Sequence, residues 1–356
     1  MKHLITIAAC ALLAEVAAQA KPKIAFVGLL HSHCWRQLEN IKTVSEVELA
    51  GIAESNPELV AEAKKINPGA KFFDDYRKMI DQEKPDIVWA FVENNRHLEI
   101  LEYAAPRKVH VIFEKPLASS FAEAKQMRDL AKKHGVQVMT NYQMAWWASN
   151  QEVKRQADAG AVGDVWRLRG IVGHGGPGSE GPRSKYFFEW LTDPVKNGAG
   201  ALVDFGCYNV LWSLWLKGRP ESVYAQVNHI QKERFPKVED NSVLVLTYKD
   251  GVGIFEGSWD LPRSFQDLEV FGREGSLYMT SRGVELRKGR RDISEITPAP
   301  LPPERDDPLR YMAHIVTSGE AVDNIMALDI NVEVVEILDA AKESIKTGRA
   351  VRLPAK

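Results

Sequence analysis

The sequence predicts a two-domain α/β protein: an N-terminal parallel β-sheet flanked by helices, followed by an α+β domain with a large, mostly antiparallel sheet. Two observations predict this division. Up to about residue 145, short apolar runs alternate with helical patterns, which is typical of βαβ units. Beyond residue 150 the apolar runs lengthen, and Lys249-Asp250-Gly251 forms a hairpin turn between two of them. We therefore place the domains at residues 21–145 and 146–356.

The apolar runs of the first domain are short and bounded by turn residues, so each predicts a buried strand. They are Ile24–Val27, Glu48–Ala53, Asp86–Val92, Val109–Phe113 and Val136–Thr140. Helices are predicted between them, and two begin at clear caps. Asn56 is followed by Pro57 at the first helical position, and Ser120 with Glu123 forms a capping box. Strands that alternate with helices in this way form a parallel sheet.

The second domain has a different pattern of longer strands. They are predicted at Val165–Val172, Ser222–His229, Ser242–Tyr248, Val252–Trp259 and Leu268–Gly272. A helix is expected near Tyr208–Leu216 and a closing helix over Asn331–Lys346. The proline-rich and acidic segment Pro298–Asp307 is expected to be a surface loop.

The composition is that of a globular protein. The 356 residues are 45% hydrophobic and 26% charged, and the formal net charge of -2 gives no reason to expect a nucleic-acid partner. The three cysteines, Cys10, Cys34 and Cys207, form neither a disulfide framework nor a CxxC metal pattern.

Residues 1–20 have the features of a secretory signal peptide. An apolar run, Leu4–Ala14, follows a slightly positive start, and Ala18-Gln19-Ala20 has the small-x-small form of a cleavage site. The apolar run is too short to span a bilayer. We expect cleavage after Ala20 and a periplasmic or secreted protein, with a lipid anchor at Cys10 or an uncleaved start as the alternatives.

Gly28, between the first strand and the first helix, marks a candidate nucleotide-binding turn. A helix that begins at such a turn offers free amides to a dinucleotide pyrophosphate. The candidate contacts are Gly28, Leu30, His31 and Ser32, although Leu30 and His33 occupy two positions where the GxGxxG pattern has glycine. From this segment alone, a plain βα turn remains an alternative.

Two further features of this edge of the predicted sheet concern its ligands. Glu54 ends the second strand, where an acid accepts from ribose hydroxyls and repels a 2′-phosphate. It therefore favours NAD over NADP, with an exposed strand-end acid as the alternative. His31, His33 and Cys34 also allow a metal interpretation, which we do not favour because their spacing is local and no distant partner is evident.

Several short motifs then follow in a fixed order. Glu114-Lys115-Pro116 follows one predicted strand and Asn94-Asn95-Arg96-His97 the preceding one, and residues 197–208 read NGAGALVDFGCY. The segments VEDN at 238–241, FGREGS at 271–276 and AAKESIKTG at 340–348 complete the series. Over residues 23–352 the chain thus resembles the Gfo/Idh/MocA family, which includes glucose–fructose oxidoreductase and inositol dehydrogenase. The resemblance implies an N-terminal Rossmann domain that binds NAD(P), a carbohydrate substrate, and a homo-oligomer, dimer or tetramer.

The resemblance also implies roles for single residues. Lys115 matches the lysine beside the nicotinamide and the reacting hydroxyl, Asp204 the substrate-binding acid, and Tyr208 the proton-transfer position. Many members have histidine where Tyr208 stands. Asn94, His97 and Glu114 match segments at the cofactor, although Val92 and Glu93 replace the threonine and proline of the TPNxxH pattern.

The chemistry of alcohol oxidation accounts for this set. A nicotinamide takes the hydride, and a protein base takes the hydroxyl proton. A tyrosine has a pKa of about 10, and a neighbouring lysine cation lowers it. We therefore expect Lys115 and Tyr208 to act as a general acid/base pair, with a core tyrosine and a surface lysine as the alternatives. His174 and Tyr142, near an aromatic stretch at Tyr186–Trp190, are the candidate contacts for a sugar ring.

Export creates a difficulty for a redox enzyme, because free NAD is scarce outside the cytoplasm. A tightly held cofactor that returns to its starting state in each cycle removes the difficulty. Transient oxidation of a sugar at C3, followed by cleavage of a glycosidic bond, is an alternative that makes the protein a glycosidase or lyase. A non-catalytic regulator that binds dinucleotide is the second alternative.

Overall fold

The computed structural model describes residues 20–355, and its first domain is a parallel sheet flanked by helices. Its strand order, β3-β2-β1-β4-β5-β6, is the order of a Rossmann domain, so the predicted fold is confirmed. The strands are β1 (Lys23–Val27), β2 (Glu48–Ala53), β3 (Phe72–Phe73), β4 (Ile87–Ala90), β5 (His110–Glu114) and β6 (Val138–Asn141). The helices are α1 (Cys34–Asn40), α2 (Pro57–Ile66), α3 (Tyr76–Glu83), α4 (His97–Ala104) and α5 (Phe121–His134).

The second domain contains a nine-stranded sheet in which β7 and β10 pair in parallel and all other neighbours are antiparallel. Its order is β14-β13-β12-β11-β7-β10-β9-β8-β15. The strands are β7 (Arg167–Gly173), β8 (Ser222–Asn228), β9 (Asn241–Tyr248), β10 (Gly251–Ser258), β11 (Phe265–Phe271), β12 (Ser276–Thr280), β13 (Gly283–Arg287), β14 (Ile293–Ile296) and β15 (Val351–Arg352). The helices are α6 (Ala148–Asp158), α7 (Gly181–Leu191), α8 (Ala201–Lys217), α9 (Pro308–Ser318) and α10 (Leu328–Thr347).

Burial explains why the two sheets differ. Strand β4 is buried at every residue because helices cover both faces of the parallel sheet. Strand β9 alternates between buried and more exposed residues, because α8 and α10 cover one face of its sheet only. Helix α8 is buried from Ala201 to Leu214, so any charge that it carries lies inside the protein.

The caps predicted from the sequence are present. The Asn56 side chain accepts from the amide of Glu58 at the start of α2, and the Ser120–Glu123 capping box opens α5. The sequence analysis missed β3, α3, α7, α9 and the strands β12–β15 towards the two edges of the second sheet. Strand β3 has only two residues, and the edge strands have little apolar patterning of their own, so neither gives a clear periodic signal.

The C-terminal helix joins the two domains. Helix α10 packs on α8 and β8 of the second domain and also on α5 of the first. The amide of Phe121 donates to Asp339 at 2.7 Å, and Lys342 donates to the carbonyl oxygen of Ser119 at 2.9 Å. Residues 146–356 therefore do not form a wholly separate unit, since their last helix returns to the Rossmann domain.

Over residues 20–355, no helix is both long and apolar enough to cross a bilayer. The expected signal peptide, apart from Ala20, and Cys10 lie outside the described residues.

Candidate active site

A buried ion pair joins the two domains at the centre of the site. Lys115 directly follows β5, and Asp204 lies in the first turn of α8. The Lys115 ammonium donates to one carboxylate oxygen of Asp204 and, at 3.1 Å, to its main-chain carbonyl. The other carboxylate oxygen accepts from the Trp259 indole at 2.8 Å. Only 6% of Lys115 and 5% of Asp204 are exposed, so the two charges depend on each other.

The pKa shifts of this pair follow from that dependence. Burial by itself lowers the pKa of Lys115, but the Asp204 carboxylate outweighs it, and the pKa is raised overall. Burial by itself raises the pKa of Asp204, but Lys115 and Trp259 lower it below its usual value. Both groups therefore carry their charges at neutral pH. A charged Lys115 can stabilise a negative oxygen at the domain junction but cannot accept a proton.

Tyr208 lies one helical turn after Asp204, as the sequence spacing predicted, and its ring is 5.2 Å from the Lys115 ammonium. Its pKa does not follow the prediction, however. Burial raises the pKa of Tyr208, and the opposing effect of Lys115 is too small to reverse this. The physical reason is that Asp204 already balances the charge of Lys115, while a buried phenolate is poorly solvated. Tyr208 therefore retains its proton at neutral pH.

Tyr142 and His174 lie on different sides of this centre. Tyr142 is fully buried and packs edge-on against Tyr208 with the ring centroids 5.2 Å apart, so it supports Tyr208 and does not line the cleft. His174 follows β7, packs against Phe205 at 5.1 Å and accepts from the amide of Gly176. Burial lowers the pKa of His174, so its ring is neutral at pH 7 and its second nitrogen carries the proton.

A cleft of about 530 Å³ opens beside His174 and Phe205. Its polar and aromatic lining includes Gln143, Trp147, Arg263, Asp267, Tyr278 and Arg282. Hydrogen-bonding groups beside flat aromatic surfaces are the features that a carbohydrate ring requires. The predicted aromatic stretch Tyr186–Trp190 lies instead in α7, where Phe187 and Trp190 pack against His31 at 5.2 and 5.7 Å.

A second cleft, of about 390 Å³, lies at the carboxyl ends of β1 and β2. Gly28, Leu30, Glu54 and Arg96 contribute to its wall. Gly28 has a φ of +78°, and a Cβ added there would lie 2.6 Å from Val92, so only glycine fits. The cleft thus lies between a glycine turn and an acid at the end of β2. These are the features of a site for the adenosine half of a dinucleotide.

The turn itself is unusual because its amides are already bonded within the protein. The amides of Leu30 and His31 both donate to the Phe91 carbonyl at 3.0 Å, and the Leu29 amide donates to Glu54 at 2.8 Å. The other Glu54 oxygen accepts from Asn56 at 2.7 Å. Burial raises the pKa of Glu54. Glu54 therefore closes the turn, a role that the sequence analysis did not anticipate, while still lining the cleft.

The remaining predicted cofactor residues occupy two places. Asn94 and His97 are buried behind β4: Asn94 donates to Asn197 of the second domain at 2.7 Å, and the His97 ring stacks on Phe113 at 4.6 Å. Burial lowers the pKa of His97 to about 4. The Asn94 side-chain oxygen and the second His97 nitrogen are buried and have no hydrogen-bond partner among the described residues.

Ser32 and His33 line a third, smaller cleft of about 240 Å³, which Asn141 and Trp146 also line. Glu114 lies beneath this cleft with none of its surface exposed. Its two carboxylate oxygens bond to His33 at 2.8 Å and to Asn141 at 2.9 Å.

Sequence reasoning missed two residues that hold the site together. Trp259 lies 55 positions from Asp204 and is adjacent to it only because β10 ends beside α8. The Glu239 side chain caps α8 by accepting from the amides of Gly200 and Leu202 at 2.8 and 3.0 Å. Glu239 belongs to the VEDN motif, which was a usable signal, whereas no local pattern pointed to Trp259.

Comparisons with known proteins agree with this architecture. A family profile described as "Oxidoreductase family, NAD-binding Rossmann fold" matches residues 22–142, and one described as "GFO/IDH/MocA C-terminal domain" matches residues 150–278. Levoglucosan dehydrogenase of Pseudarthrobacter phenanthrenivorans is 28% identical over 260 residues, which are 64% of this chain and 63% of that protein. The chain thus spans a little under two thirds of the length of that relative.

Two further matches cover more of the chain. D-xylose 1-dehydrogenase (NADP(+)) 2 of Haloferax volcanii is 27% identical over 323 residues, covering 87% of this chain and 93% of that protein. The solved structure of aldose-aldose oxidoreductase from Caulobacter crescentus superposes with a TM-score of 0.81 at 21% identity. It covers 94% of this chain and 100% of that one, which shows a shared fold. Together, the two profiles cover most of residues 22–278, and the chain belongs to the Gfo/Idh/MocA oxidoreductase family.

Proposed function

We propose that this protein is an NAD(P)-dependent oxidoreductase that transfers a hydride to or from a CH–OH carbon of a sugar, polyol or glycoside. The observation that carries the proposal is the buried Lys115–Asp204 pair, which lies between the cofactor edge of the Rossmann sheet and the polar cleft beside His174. The named sugar dehydrogenases among the relatives support a carbohydrate substrate.

The dinucleotide supplies the hydride acceptor or donor when it is bound. Gly28 and Leu30 would contact its adenosine half, and Glu54, at the end of β2, would accept from its ribose hydroxyls. The negative charge of Glu54 favours NAD. Arg77 and Arg96 line the same cleft, and the name of one relative specifies NADP as its cofactor. Binding of both NAD and NADP should therefore be measured.

Residues of the chain stabilise the charge that develops on the reacting oxygen and transfer its proton. Lys115 stabilises the negative charge that develops on the reacting oxygen, and Asp204 keeps Lys115 charged and in place. Tyr208 is the proton-transfer group. Because its pKa is raised, Tyr208 is ready to donate a proton to a keto oxygen, whereas alcohol oxidation requires that it first lose its proton.

The 530 Å³ cleft is the proposed substrate site, and this volume falls within the usual range for small-molecule sites. His174 donates through its protonated ring nitrogen to a sugar hydroxyl, and Trp147 offers an aromatic face. Tyr142 acts indirectly by holding the ring of Tyr208 in place.

Three further features belong to the same proposal. The protein is exported, with its signal peptide cleaved after Ala20, and it holds its cofactor tightly enough to recycle it. It forms a homo-oligomer through the open face of the nine-stranded sheet. On that face Tyr224, Val243 and Ile254 lie at positions that α8 does not cover, and Tyr224 and Val243 are 38% and 39% exposed.

The experiment begins with protein purified from the exported fraction, denatured, and analysed for released dinucleotide by mass spectrometry. About one NAD per chain supports a recycling cofactor, and paired-sugar assays should then show one sugar oxidised while another is reduced. Release of an aglycone without a second sugar would instead identify the glycosidase or lyase activity. Failure to find or bind either dinucleotide would overturn the enzyme proposal.

A matched pair of variants separates catalysis from binding. Lys115→Met should abolish turnover while dinucleotide binding persists, whereas Lys132→Met, on the exposed surface, should change neither. Turnover that survives in Lys115→Met would exclude the proposed mechanism.

A further inference from the structure

The start of α1 brings His31 and His33, which are close in the sequence, together with a third potential metal ligand, the distant Glu114. One ligand atom from each of His31, His33 and Glu114 lies within 4.8 Å of the other two. Glu114 is 81 positions from His33 and supplies the distant partner that a metal site needs. Cys34, the other local candidate, is excluded because its buried thiol points to the Leu29 carbonyl.

The chemistry of Glu114 gives a reason for a cation at this place. A carboxylate with no exposed surface needs a compensating charge. Within residues 20–355, its only ion-pair partner is the His33 ring, because Lys115 is engaged by Asp204. A cation between His33 and Glu114 would give the carboxylate a permanent counter-charge.

The ligands are held in place by the surrounding residues, as they are in known metal sites. Asn141 donates to the second oxygen of Glu114 at 2.9 Å, and the Trp146 indole in turn donates to Asn141 at 2.9 Å. The His33 amide donates to Nδ1 of His31 at 3.2 Å, and the centroids of the two rings lie 4.5 Å apart. These contacts restrict the orientation of all three side chains.

The distances suit a transition metal after a small adjustment. Zinc bonds nitrogen and carboxylate oxygen at about 2.0–2.2 Å, so ligand atoms around one ion lie about 3–4 Å apart. Two imidazoles and one carboxylate leave at least one coordination position open, which is the pattern of reactive rather than structural sites. The His33 side chain is 34% exposed and lines the 240 Å³ cleft, which provides a path for the ion.

We propose that His31, His33 and Glu114 bind one divalent transition-metal ion of the zinc class, with an open coordination position facing the cleft beside Trp146. The site adjoins Lys115 in the chain. It does not depend on the proposed redox function, because binding of the ion alone can be measured.

The test uses the full exported chain, stripped with a chelator and titrated with Zn²⁺ by calorimetry and with Co²⁺ by visible absorption. We expect one ion per chain and a Co²⁺ spectrum of a site with histidine and oxygen ligands. Zn²⁺ should also raise the melting temperature, because an ion that binds the folded state stabilises it. Absence of stoichiometric binding to the wild-type protein overturns the proposal.

Variants then locate the ion. His33→Ala should abolish stoichiometric binding, and Asn141→Ala should weaken it about 10–100-fold. His33→Gln removes the imidazole but can still donate to Glu114, so it tests the ligand if His33→Ala does not fold. His314→Ala is the matched control, because His314 pairs with Glu320 at 3.3 Å on the surface, and no third ligand joins them within residues 20–355. Unchanged affinity in both His33 variants, or equal loss in His314→Ala, contradicts the site.

Discussion

Substitution of Lys115 by methionine should destabilise the folded protein as well as abolish turnover. The change leaves the Asp204 carboxylate, only 5% exposed, with the Trp259 indole as its remaining side-chain donor among the described residues. Removing one partner of a buried pair typically costs about 3–5 kcal/mol. Lys132→Met provides the control, because Lys132 and Asp329 are 61% and 66% exposed, and an exposed pair contributes about 0–1 kcal/mol.

The double variant Lys115→Met with Asp204→Asn should recover most of this loss. The asparagine carries no charge, and its oxygen can still accept from Trp259. Urea unfolding at pH 7, followed by fluorescence and circular dichroism, measures the free energies of the wild type, both single variants and the double variant. A double variant as unstable as the sum of the single variants would refute the reasoning, as would a loss below about 1 kcal/mol in Lys115→Met.

The pH dependence of the stability of Lys115→Met provides an independent test. Without Lys115, burial raises the pKa of Asp204 above its unfolded value of about 3.9. The free-energy cost of the buried, charged carboxylate is then fully present above the pKa that Asp204 has in the folded variant. This cost is lost as the pH falls from that value toward the pKa of the unfolded state. The stability deficit of Lys115→Met should therefore shrink between pH 7 and about pH 4, and a deficit that grows in acid would contradict this assignment.

Four further predictions concern the proton, the turn and the cap. Tyr208→Phe should lower turnover about 10²–10⁴-fold, and an unchanged rate would remove Tyr208 from the mechanism. Because the pKa of Tyr208 is raised, wild-type oxidation should accelerate roughly tenfold per pH unit from pH 7 to 9, and a plateau near pH 7 would identify another base. Gly28→Ala should cost about 1–3 kcal/mol and weaken dinucleotide binding, since its Cβ would lie 2.6 Å from Val92. In Gly69→Ala, where a Cβ meets nothing within 4 Å, both quantities should be nearly unchanged, and equal effects would dismiss the steric argument. Glu239→Ala, which removes the accepting oxygen, should destabilise α8 by about 0.5–2 kcal/mol in urea unfolding, and no change would show that the cap is dispensable.

The family resemblance identified the residues of the site but not their protonation states. Lys115, Asp204 and Tyr208 do meet, because the end of a parallel strand and one face of a helix are positions that a sequence pattern can predict. The pKa of Tyr208 is raised, whereas the sequence analysis expected Lys115 to lower it. Its direction depends on how deeply α8 is buried and on Asp204 balancing Lys115, and neither is visible in the spacing of the residues.

The sequence by itself determined most strands of the two domains, the caps of α2 and α5 and the glycine turn, because each of these local features depends on residues within a few positions of one another. Only the tertiary structure decided the partners of Glu54, Asp204 and Glu114. Glu54 bonds to the turn amides, Trp259 reaches Asp204, and His33 meets Glu114 across 81 positions. Hydrogen bonds and charge balance act over a few ångströms, so they depend on which distant segments the fold brings together.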